Sequence, residues 1–226
     1  GGSLVMQVKL ISHSTAPAGT DLDNVQDLIA YCAKVSNPSN QINKETSAKL
    51  ISYLIKHNHW SPLEMVSACL EIETTRDIAH QIVRHRSFAF QEFSQRYANP
   101  EEMGDQFVTR ECRLQDTSNR QNSVDTDDSN LKKEWELHQK LVIRQAEVAY
   151  NWAIENGIAK EQARVVLPEG CTKTRLYMNG TIRSWVHYIE LRGANGTQKE
   201  HMDIAHACAK VIAEIFPLAG ELNENS

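Results

Sequence analysis

One long amphipathic segment limits the folds that are open to this chain. Apolar residues recur at helical spacing from residue 131 to residue 156, where Asn156 and Gly157 form the expected helix end. The apolar positions are Trp135, Leu141, Val142, Val148 and Trp152. This pattern predicts one helix of about seven turns. A domain that contains it must devote much of its structure to helices.

Shorter periodic segments precede and follow this helix. Alternation of apolar and polar residues predicts strands at 6–10, 66–72 and 172–178. Helical spacing predicts further helices at 20–36, at 44–57, from Thr74 or Thr75, at 160–167, from Thr181 and at 198–216. Asn179-Gly180 is expected to form a turn. Few, separated strands among long helices favour the α+β class. We expect a single domain over 4–226, with a small, mostly antiparallel sheet flanked by long helices.

Two segments stand outside this pattern. Residues 99–130 are polar and rich in turn-forming types, and we expect a long surface excursion with a short strand around Phe107 and Val108. Gly1-Gly2-Ser3 is expected to be a cloning remnant. The N-terminus lacks the basic-then-apolar pattern of a signal peptide, and no apolar run approaches the ~18 residues of a membrane span.

Charge and cysteine content argue against several classes of protein. The chain has 24 basic and 29 acidic residues and a net charge of -5, whereas a general nucleic-acid binder is usually basic. Any site that binds an anion must therefore be a cleft in which positive side chains are concentrated, within a surface that is negative overall. The five cysteines are scattered and form no C-x-x-C pair. This favours reduced thiols in a cytoplasmic protein over a disulfide framework or a zinc site.

The densest group of ligand-binding side chains begins at Arg84. It consists of Arg84-His85-Arg86 and the segment 91–97, which reads Gln-Glu-Phe-Ser-Gln-Arg-Tyr. Guanidinium groups suit phosphate and carboxylate oxygens, and aromatic rings offer flat faces to a base or an isoalloxazine ring. The cluster predicts a site for an anionic, flat, heteroaromatic ligand. The alternative is a solvated basic helix end that complements the helix dipole.

Helical spacing adds a geometric expectation for this cluster. Gln81, Arg84 and His85 would share one face of a helix, while Arg86 would lie nearly opposite Arg84 if the helix continues. The two arginines would then hold two different ligands, or a ligand and another subunit.

Cationic side chains also occur near residues 164 and 183. Arg164 precedes an apolar segment and is either an ion-pair residue at the surface or a ligand contact. Arg183 and His187 are four residues apart and share a helical face, and Arg192 follows nine residues after Arg183. A charged outer face of the helix is an equally good reading of this spacing.

Two further patterns could indicate a metal site or a catalytic nucleophile. The pairs His57/His59 and His201/His206 lack helical i,i+4 spacing with a carboxylate, so we expect no metal site. Ser94 has neither a G-x-S-x-G context nor an evident His–Asp pair, so its hydroxyl is expected to bind ligand.

The order of these residues resembles that of the flavin-dependent thymidylate synthases. The stretch from Arg84 to Arg96 resembles the family signature R-H-R-x-x-S-x-N-x-x-S-x-R. Four other segments resemble family motifs: 33–36 (A-R/K-V-S), 56–64 (K-H-x-H-x-T/S-P-x-E), 163–168 (A-R-x-x-L-P) and 183–192 (R-S-x-x-N/H-x-x-x-x-R). Together they cover nearly the whole chain in the family's order.

This chain departs from the family pattern at three positions. Ala89 stands where the signature has its middle serine, and Gln91 stands where it has asparagine. Thr181 occupies a place where many members have asparagine, with Asn179 nearby.

The resemblance implies a methyltransferase that converts dUMP to dTMP. Methylenetetrahydrofolate would supply the carbon, NADPH would reduce bound FAD, and FAD would carry the hydride. It also implies a homotetramer with active sites between subunits, and no enzyme nucleophile on the uracil ring. The cysteines agree with the last point, because none has an activating context.

The resemblance also implies which residues bind each ligand. The dUMP contacts would be Gln81, Arg84, Glu92, Phe93, Ser94, Gln95, Arg96, Arg164 and Arg192. The FAD contacts would be Ser36, Ser61, Glu64, Arg84, His85, Arg86, Glu92, Thr181, Arg183 and His187. Arg96 would hold the phosphate, and His59 would line the folate or nucleotide entrance. Arg192 would be catalytic, since a cation at the pyrimidine edge favours the N3-deprotonated ring and pushes electron density to C5.

Two other functions are compatible with the sequence. A nucleic-acid-binding protein could use the Arg84–Arg96 patch, although the negative net charge argues against it. A flavoprotein with different chemistry would share the cofactor and make no dTMP.

Overall fold

The computed structural model describes residues 6–93 and 105–222. The chain divides into two compact units. We call residues 1–6, 73–84 and 91–176 the α4 unit, and residues 7–72, 85–90 and 177–226 the α6 unit. The expectation of one domain over 4–226 stays a prediction.

The described residues contain helices and a small amount of sheet, as the α+β class requires. The helices are α1 (Val25–Ala33), α2 (Ser47–Lys56), α3 (Arg76–Ile82), α4 (Ser129–Glu155), α5 (Lys160–Ala163), α6 (Ile182–Arg192) and α7 (Lys199–Ala213). The strands are β1 (Gln7–His13), β2 (Ser67–Thr75), β3 (Ala89–Glu92), β4 (Arg113–Gln115), β5 (Ser123–Asp125) and β6 (Lys173–Thr181). No described helix combines the length and the apolar character needed to cross a bilayer.

The main sheet is small and antiparallel, which confirms that part of the expected fold. Its four strands follow the order β1-β2-β6-β3. A separate hairpin pairs β4 with β5, with Arg113 opposite Asp125 and Gln115 opposite Ser123. That hairpin, together with an isolated bridge between Phe107 and Thr172, gives residues 105–130 more regular structure than the predicted excursion.

The core of the α6 unit forms where α6 and α7 bury their apolar faces. Thr181 caps α6 as predicted, because its hydroxyl accepts a hydrogen bond from the Ser184 amide at 3.2 Å. Trp185 and Tyr188 are fully buried, and the Trp185 indole donates to the Ala68 carbonyl at 3.0 Å. α7 contributes Ile204, Cys208 and Ile212. This packing fixes the direction in which α6 presents its polar residues.

Asn179 and Gly180 do not form the predicted turn, since both belong to β6. A Cβ atom on Gly180 would lie 2.5 Å from Phe88 Cδ1. Glycine is therefore needed here for the close approach of an aromatic ring, and the dipeptide pattern was wrong as a turn signal.

In the α4 unit, the rest of the unit packs against one face of the long helix α4. α4 begins after Asp128, whose carboxylate accepts from the Leu131 amide at 3.1 Å. Tyr150 and Ala153 on α4 pack with Ala163 and Leu167 in a buried cluster. Phe93, Phe107 and Ile154 border that cluster.

An arginine ties three distant segments of the α4 unit together. Arg110 donates from Nη1 to Asp77 Oδ2 at 2.8 Å and from Nη2 to Asp77 Oδ1 at 3.0 Å. Its Nη2 also donates to Thr75 Oγ1 at 2.9 Å and to the Gly170 carbonyl at 3.0 Å. The Asp77 pKa is lowered overall: burial would raise it, but the hydrogen bonds from Arg110 and Thr75 and the Arg110 charge outweigh that effect.

Candidate active site

The Arg84 cluster does not continue helix α3. The helix ends at Ile82, and the Val83 amide makes the last helical hydrogen bond, to the Ala79 carbonyl at 3.0 Å. Arg84 and Arg86 follow in irregular backbone with exposed side chains. The inference of two ligands from helical spacing was therefore wrong in its geometry, because residues 84–86 are not on a helix.

His85 and Arg192 lie in the α6 unit and contact each other directly. Arg192, at the end of α6, donates from Nε to His85 Nε2 at 2.9 Å. An imidazole nitrogen can accept only when it carries no proton, so His85 is neutral with its proton on Nδ1. The His85 pKa is lowered by burial and by the Arg192 charge, which agrees with this state.

Two buried aromatic groups support the His85 ring. Tyr188 lies against it nearly edge-on, with ring centroids 5.0 Å apart and an angle of 85°. The Tyr188 hydroxyl hydrogen-bonds to His201 Nε2 at 2.9 Å, and both side chains are fully or almost fully buried. Burial, with Arg192 and His85 nearby, lowers the His201 pKa to about 3. The Tyr188 pKa is raised well above its usual range, and burial is the largest cause. Three uncharged rings thus hold one guanidinium in a fixed direction.

A second polar group in the α6 unit lies along the exposed side of α6. Arg183 Nη1 contacts Glu64 Oε1 at 3.3 Å, with the two side chains 40% and 44% exposed. His187, one turn after Arg183, lies beside Trp60, with ring centroids 4.4 Å apart. An ion pair this exposed contributes little stability. Its position suits it better to ligand contact, with a cation, a carboxylate and two aromatic rings accessible together.

Two predicted FAD contacts, Ser61 and Thr181, adjoin this second polar group in sequence, and a third, Ser36, does not. Ser61 is the first residue of the short helical turn Ser61–Glu64, and its side chain is exposed. Thr181 caps α6 immediately before Ile182. Ser36 lies in an exposed turn after α1. The structure therefore brings together Glu64, Arg183 and the His187 region, and it leaves Ser36 on a separate turn.

Besides Arg84, the described part of the α4 unit contains four predicted dUMP contacts, which lie on or directly after three elements. Glu92 ends β3, where Thr174 donates to its carboxylate at 3.1 Å. The next amide, of Phe93, donates to the Arg175 carbonyl at 2.8 Å. Arg164 opens a helical turn between the buried residues Ala163 and Leu167. Gln81 is in the last turn of α3.

Ser94, Gln95 and Arg96 lie outside the described residues. Their expected contacts with dUMP stay predictions.

The sequence interpretation missed residues that hold the predicted ones in place. Tyr188 was not singled out, although it lies four residues before Arg192 and so shares its helical face. His201 was considered only as a metal ligand. Thr174, which fixes Glu92, gave no signal beyond the alternation of β6, because the contact spans 82 residues of sequence.

The histidine pairs weighed as metal sites have other contacts. His206 Nε2 hydrogen-bonds to the Gly193 carbonyl at 3.0 Å, at the end of α6. His57 and His59 both pack near Tyr53, with ring centroids 4.3 and 6.3 Å from it. Among residues 6–93 and 105–222 there is no group of three or more side chains suited to hold a metal ion.

Comparison with known proteins gives consistent matches. A sequence model of the family described as thymidylate synthase complementing protein matches residues 18–218. The probable flavin-dependent thymidylate synthase of Paramecium bursaria Chlorella virus 1 is 49% identical over 212 residues, or 94% of this chain and 96% of the relative. The flavin-dependent thymidylate synthase of Synechocystis is 49% identical over 192 residues, or 85% of this chain and 86% of the relative.

A solved structure supports the same fold. The UMP/dUMP methylase PolB of Streptomyces cacaoi, bound with 5-Br dUMP, superposes with a TM-score of 0.80. The match covers 99% of this chain and 96% of the other at 22% identity. At that identity the likeness establishes the fold.

Proposed function

We infer the function of this chain from the fact that it belongs to the flavin-dependent thymidylate synthase family. It is a methyltransferase that converts dUMP to dTMP with FAD as its cofactor. Methylenetetrahydrofolate donates the one-carbon unit and NADPH is the reductant. The balanced reaction converts dUMP, methylenetetrahydrofolate, NADPH and a proton into dTMP, tetrahydrofolate and NADP⁺. When bound, FAD would supply the hydride-transfer chemistry that couples NADPH oxidation to formation of the methyl group.

The observation that carries the residue assignment is the contact between His85 and Arg192. Only Nε of Arg192 is occupied by this contact, so its terminal nitrogens can face a ligand. We assign Arg192 to the edge of the pyrimidine, where its permanent charge stabilises the N3-deprotonated ring. Electron density then moves to C5, which becomes the nucleophile without help from an enzyme thiol.

His85 is proposed to have a second task besides the FAD contact implied by its motif. Its Nε2 is engaged by Arg192, and its ring rests against Tyr188. We assign it as the residue that orients Arg192, while Nδ1–H remains as a donor for the cofactor.

The polar group around Arg183 fits a dinucleotide cofactor. FAD carries a pyrophosphate and flat ring systems, and these need cationic donors and aromatic faces. Arg183 and Glu64 supply a partly exposed cation and a carboxylate, and Trp60 with His187 supplies aromatic surface. We propose that Glu64, Arg183 and His187 bind FAD, with Ser36, Ser61, Thr181, His85 and Arg86 as further contacts.

The remaining residues are assigned to dUMP. Arg84 and Arg164 provide positive charge for the nucleotide, and Arg84 also contacts FAD. Glu92, held by Thr174, lies between nucleotide and flavin. Gln81, Phe93, Ser94, Gln95 and Arg96 complete the proposed nucleotide site, with Arg96 on the phosphate. The motif positions in the sequence support these assignments.

Assembly and location belong to the same proposal. The enzyme is proposed to be a homotetramer with active sites between subunits. A cytoplasmic location is supported by five cysteines that are all free thiols.

An anaerobic assay with the purified holoenzyme tests the function. The protein should be yellow, its flavin absorbance should bleach when NADPH is added, and dUMP with methylenetetrahydrofolate should then yield dTMP. Yellow protein that bleaches but makes no dTMP would indicate a flavoprotein with different chemistry. Colourless protein whose DNA binding weakens steeply with salt would favour the nucleic-acid-binding alternative.

A further inference from the structure

A groove in the α6 unit carries positive side chains to which no ligand has been assigned. It has a volume of about 380 Å³ and is lined by residues from the end of α1, from the turn that follows and from α2. These residues are Lys34, Asn40, Thr46, Lys49, Leu50 and Tyr53. We call it the Lys34–Tyr53 groove. None of its residues belongs to the contacts proposed above for FAD or dUMP.

The chain around this groove is positive, although the protein as a whole is negative. Residues 34–56 contain four basic residues and one acidic residue, a net charge of +3, against -5 for the whole chain. The basic residues are Lys34, Lys44, Lys49 and Lys56. Lys44 is paired with Asp23 at 2.8 Å and does not line the groove. The positive charge at the groove itself therefore comes from Lys34 and Lys49.

Two lysines and the start of a helix offer hydrogen-bond donors to the groove. Lys34 Nζ donates to the Asn43 carbonyl at 2.8 Å, which positions the ammonium group and uses one of its three donors. Lys49 is exposed and lies one helical turn before Tyr53. The side chain of Thr46, the residue before α2, caps no amide of that helix. A helix start of this kind adds to the attraction for an anion.

The groove suits a phosphate group attached to an aromatic base. Lysine acts as a compact point charge, which fits a phosphate, whereas the fork of arginine fits a carboxylate best. The Tyr53 side chain is 53% exposed, and His57 supports its ring with centroids 4.3 Å apart. A base can stack on such a ring. Leu50 adds apolar surface beside it.

A row of aromatic side chains leads from the groove toward the proposed FAD contacts. The His59 ring lies 6.3 Å from the Tyr53 ring, and the next residue, Trp60, lies 4.4 Å from His187. The turn Ser61–Glu64 then packs against both α1 and α6. A ligand that begins in the groove can therefore extend along this row to the group formed by Glu64, Arg183 and His187.

We propose that the Lys34–Tyr53 groove binds the adenosine 2′-phosphate end of NADPH. Lys34 and Lys49 hold the phosphate, and the adenine stacks on Tyr53. The nicotinamide end then extends past His59 and Trp60 toward the flavin. This inference rests on the proposed function, which names NADPH as reductant and assigns no residue to it. Because NADH lacks the 2′-phosphate, the groove determines the preference between the two reductants.

Flavin reduction in the holoenzyme tests the proposal. FAD-loaded enzyme is mixed anaerobically with NADPH or NADH, and flavin bleaching gives an apparent Kd for each. Lys49→Gln removes one charged contact and should lower the ratio of the NADH Kd to the NADPH Kd by about tenfold. The double variant Lys34→Gln/Lys49→Gln should bring this ratio close to one.

A tyrosine variant and a matched lysine control sharpen the test. Tyr53→Ala should weaken both reductants by about fivefold or more, because both contain adenine. Lys210→Gln removes the same charge from an exposed position on α7, outside the groove, and should keep the wild-type ratio. Flavin absorbance should show the wild-type FAD content in the lysine variants.

Four results would overturn the groove assignment. The first is a wild-type enzyme that binds NADH as tightly as NADPH, and the second is a double variant that keeps the wild-type ratio. The third is loss of FAD from the lysine variants, which would show that the groove holds the cofactor. The fourth is a raised KM for methylenetetrahydrofolate with an unchanged ratio, which would place the folate carboxylates in the groove.

These outcomes are distinguishable from failure of the proposed function, because flavin reduction is measured without dTMP formation. An enzyme that loses its NADPH preference in the double variant but makes no dTMP would keep the groove and remove the function. An enzyme that makes dTMP while the double variant keeps the wild-type ratio would keep the function and remove the groove. A protein that binds no flavin would remove both.

Discussion

Arg110 in the α4 unit and Arg192 in the α6 unit are both held by hydrogen bonds, but they are held differently. Both terminal nitrogens of Arg110 are occupied, by Asp77, Thr75 and the Gly170 carbonyl. Within the part of the chain that the structure describes, Arg192 donates one hydrogen bond, from Nε to His85 Nε2. The terminal nitrogens of Arg110 therefore have protein acceptors, whereas residues 6–93 and 105–222 offer none to the terminal nitrogens of Arg192.

This difference is why we assign a structural role to Arg110 and propose a ligand-binding role for Arg192. Arg110 pairs with a carboxylate, which neutralises its charge and connects segments that are far apart in sequence. Arg192 pairs with a neutral imidazole, which fixes direction without neutralising charge. A guanidinium oriented by an uncharged acceptor keeps its full charge for the substrate. The comparison predicts that loss of Arg110 costs stability and loss of Arg192 costs activity.

The largest expected effect is on catalysis by an Arg192→Ala variant. Removing a preorganised cation at developing negative charge should lower kcat for dTMP formation by about 10²–10³-fold. FAD content, read from flavin absorbance, should stay near the wild-type level, because the assigned cofactor contacts are elsewhere. Full activity in this variant would remove the role assigned to Arg192.

Arg110→Ala should act on stability instead. It leaves the Asp77 carboxylate partly buried without its main partner, and we expect a loss of about 2–3 kcal/mol in the free energy of unfolding. Denaturant titration measures this loss, and kcat of the folded fraction should change less than twofold. A large drop in kcat with unchanged stability would reverse the comparison between the two arginines.

A smaller effect concerns pH and the histidines behind Arg192. The His201 pKa is about 3 in the folded protein, against about 6.5 when unfolded, so the unfolded state binds a proton first as the pH falls. Stability should therefore be unaffected above pH 6.5 and should decline below it, by about 2 kcal/mol at pH 5. His85 adds to this decline, since its pKa is also lowered.

A His201→Gln variant isolates that contribution. Glutamine can keep a hydrogen bond to Tyr188 and cannot titrate. Its stability should fall less steeply than that of the wild type between pH 6.5 and pH 5, as measured by unfolding at each pH. Identical slopes would show that His201 is not a buried neutral group.

The sequence predicted the local elements well because their signals are local. The period of apolar residues located α4, and the threonine before Ile182 predicted the cap of α6. The failures involve contacts between distant residues. Gly180 is explained by the Phe88 ring and not by its neighbour Asn179.

For the candidate site, the sequence indicated individual residues better than it indicated their contacts. Motif positions pointed to His85, Arg183 and Arg192, and the structure places His85 against Arg192 in the α6 unit. The helical spacing of residues 81–86 was misleading because α3 ends at Ile82. The Arg110 contacts could not be read from sequence, since Gly170 lies 60 residues away and Asp77 lies 33 residues away.

The protonation state of bound dUMP tests the central claim most directly. A free uracil ring keeps its N3 proton at neutral pH, and Arg192 is proposed to favour its loss. Nitrogen NMR of dUMP labelled at N3, bound to the FAD-loaded enzyme, should show a deprotonated N3 in the wild type and a protonated N3 in Arg192→Ala. A protonated N3 in both proteins would contradict the account.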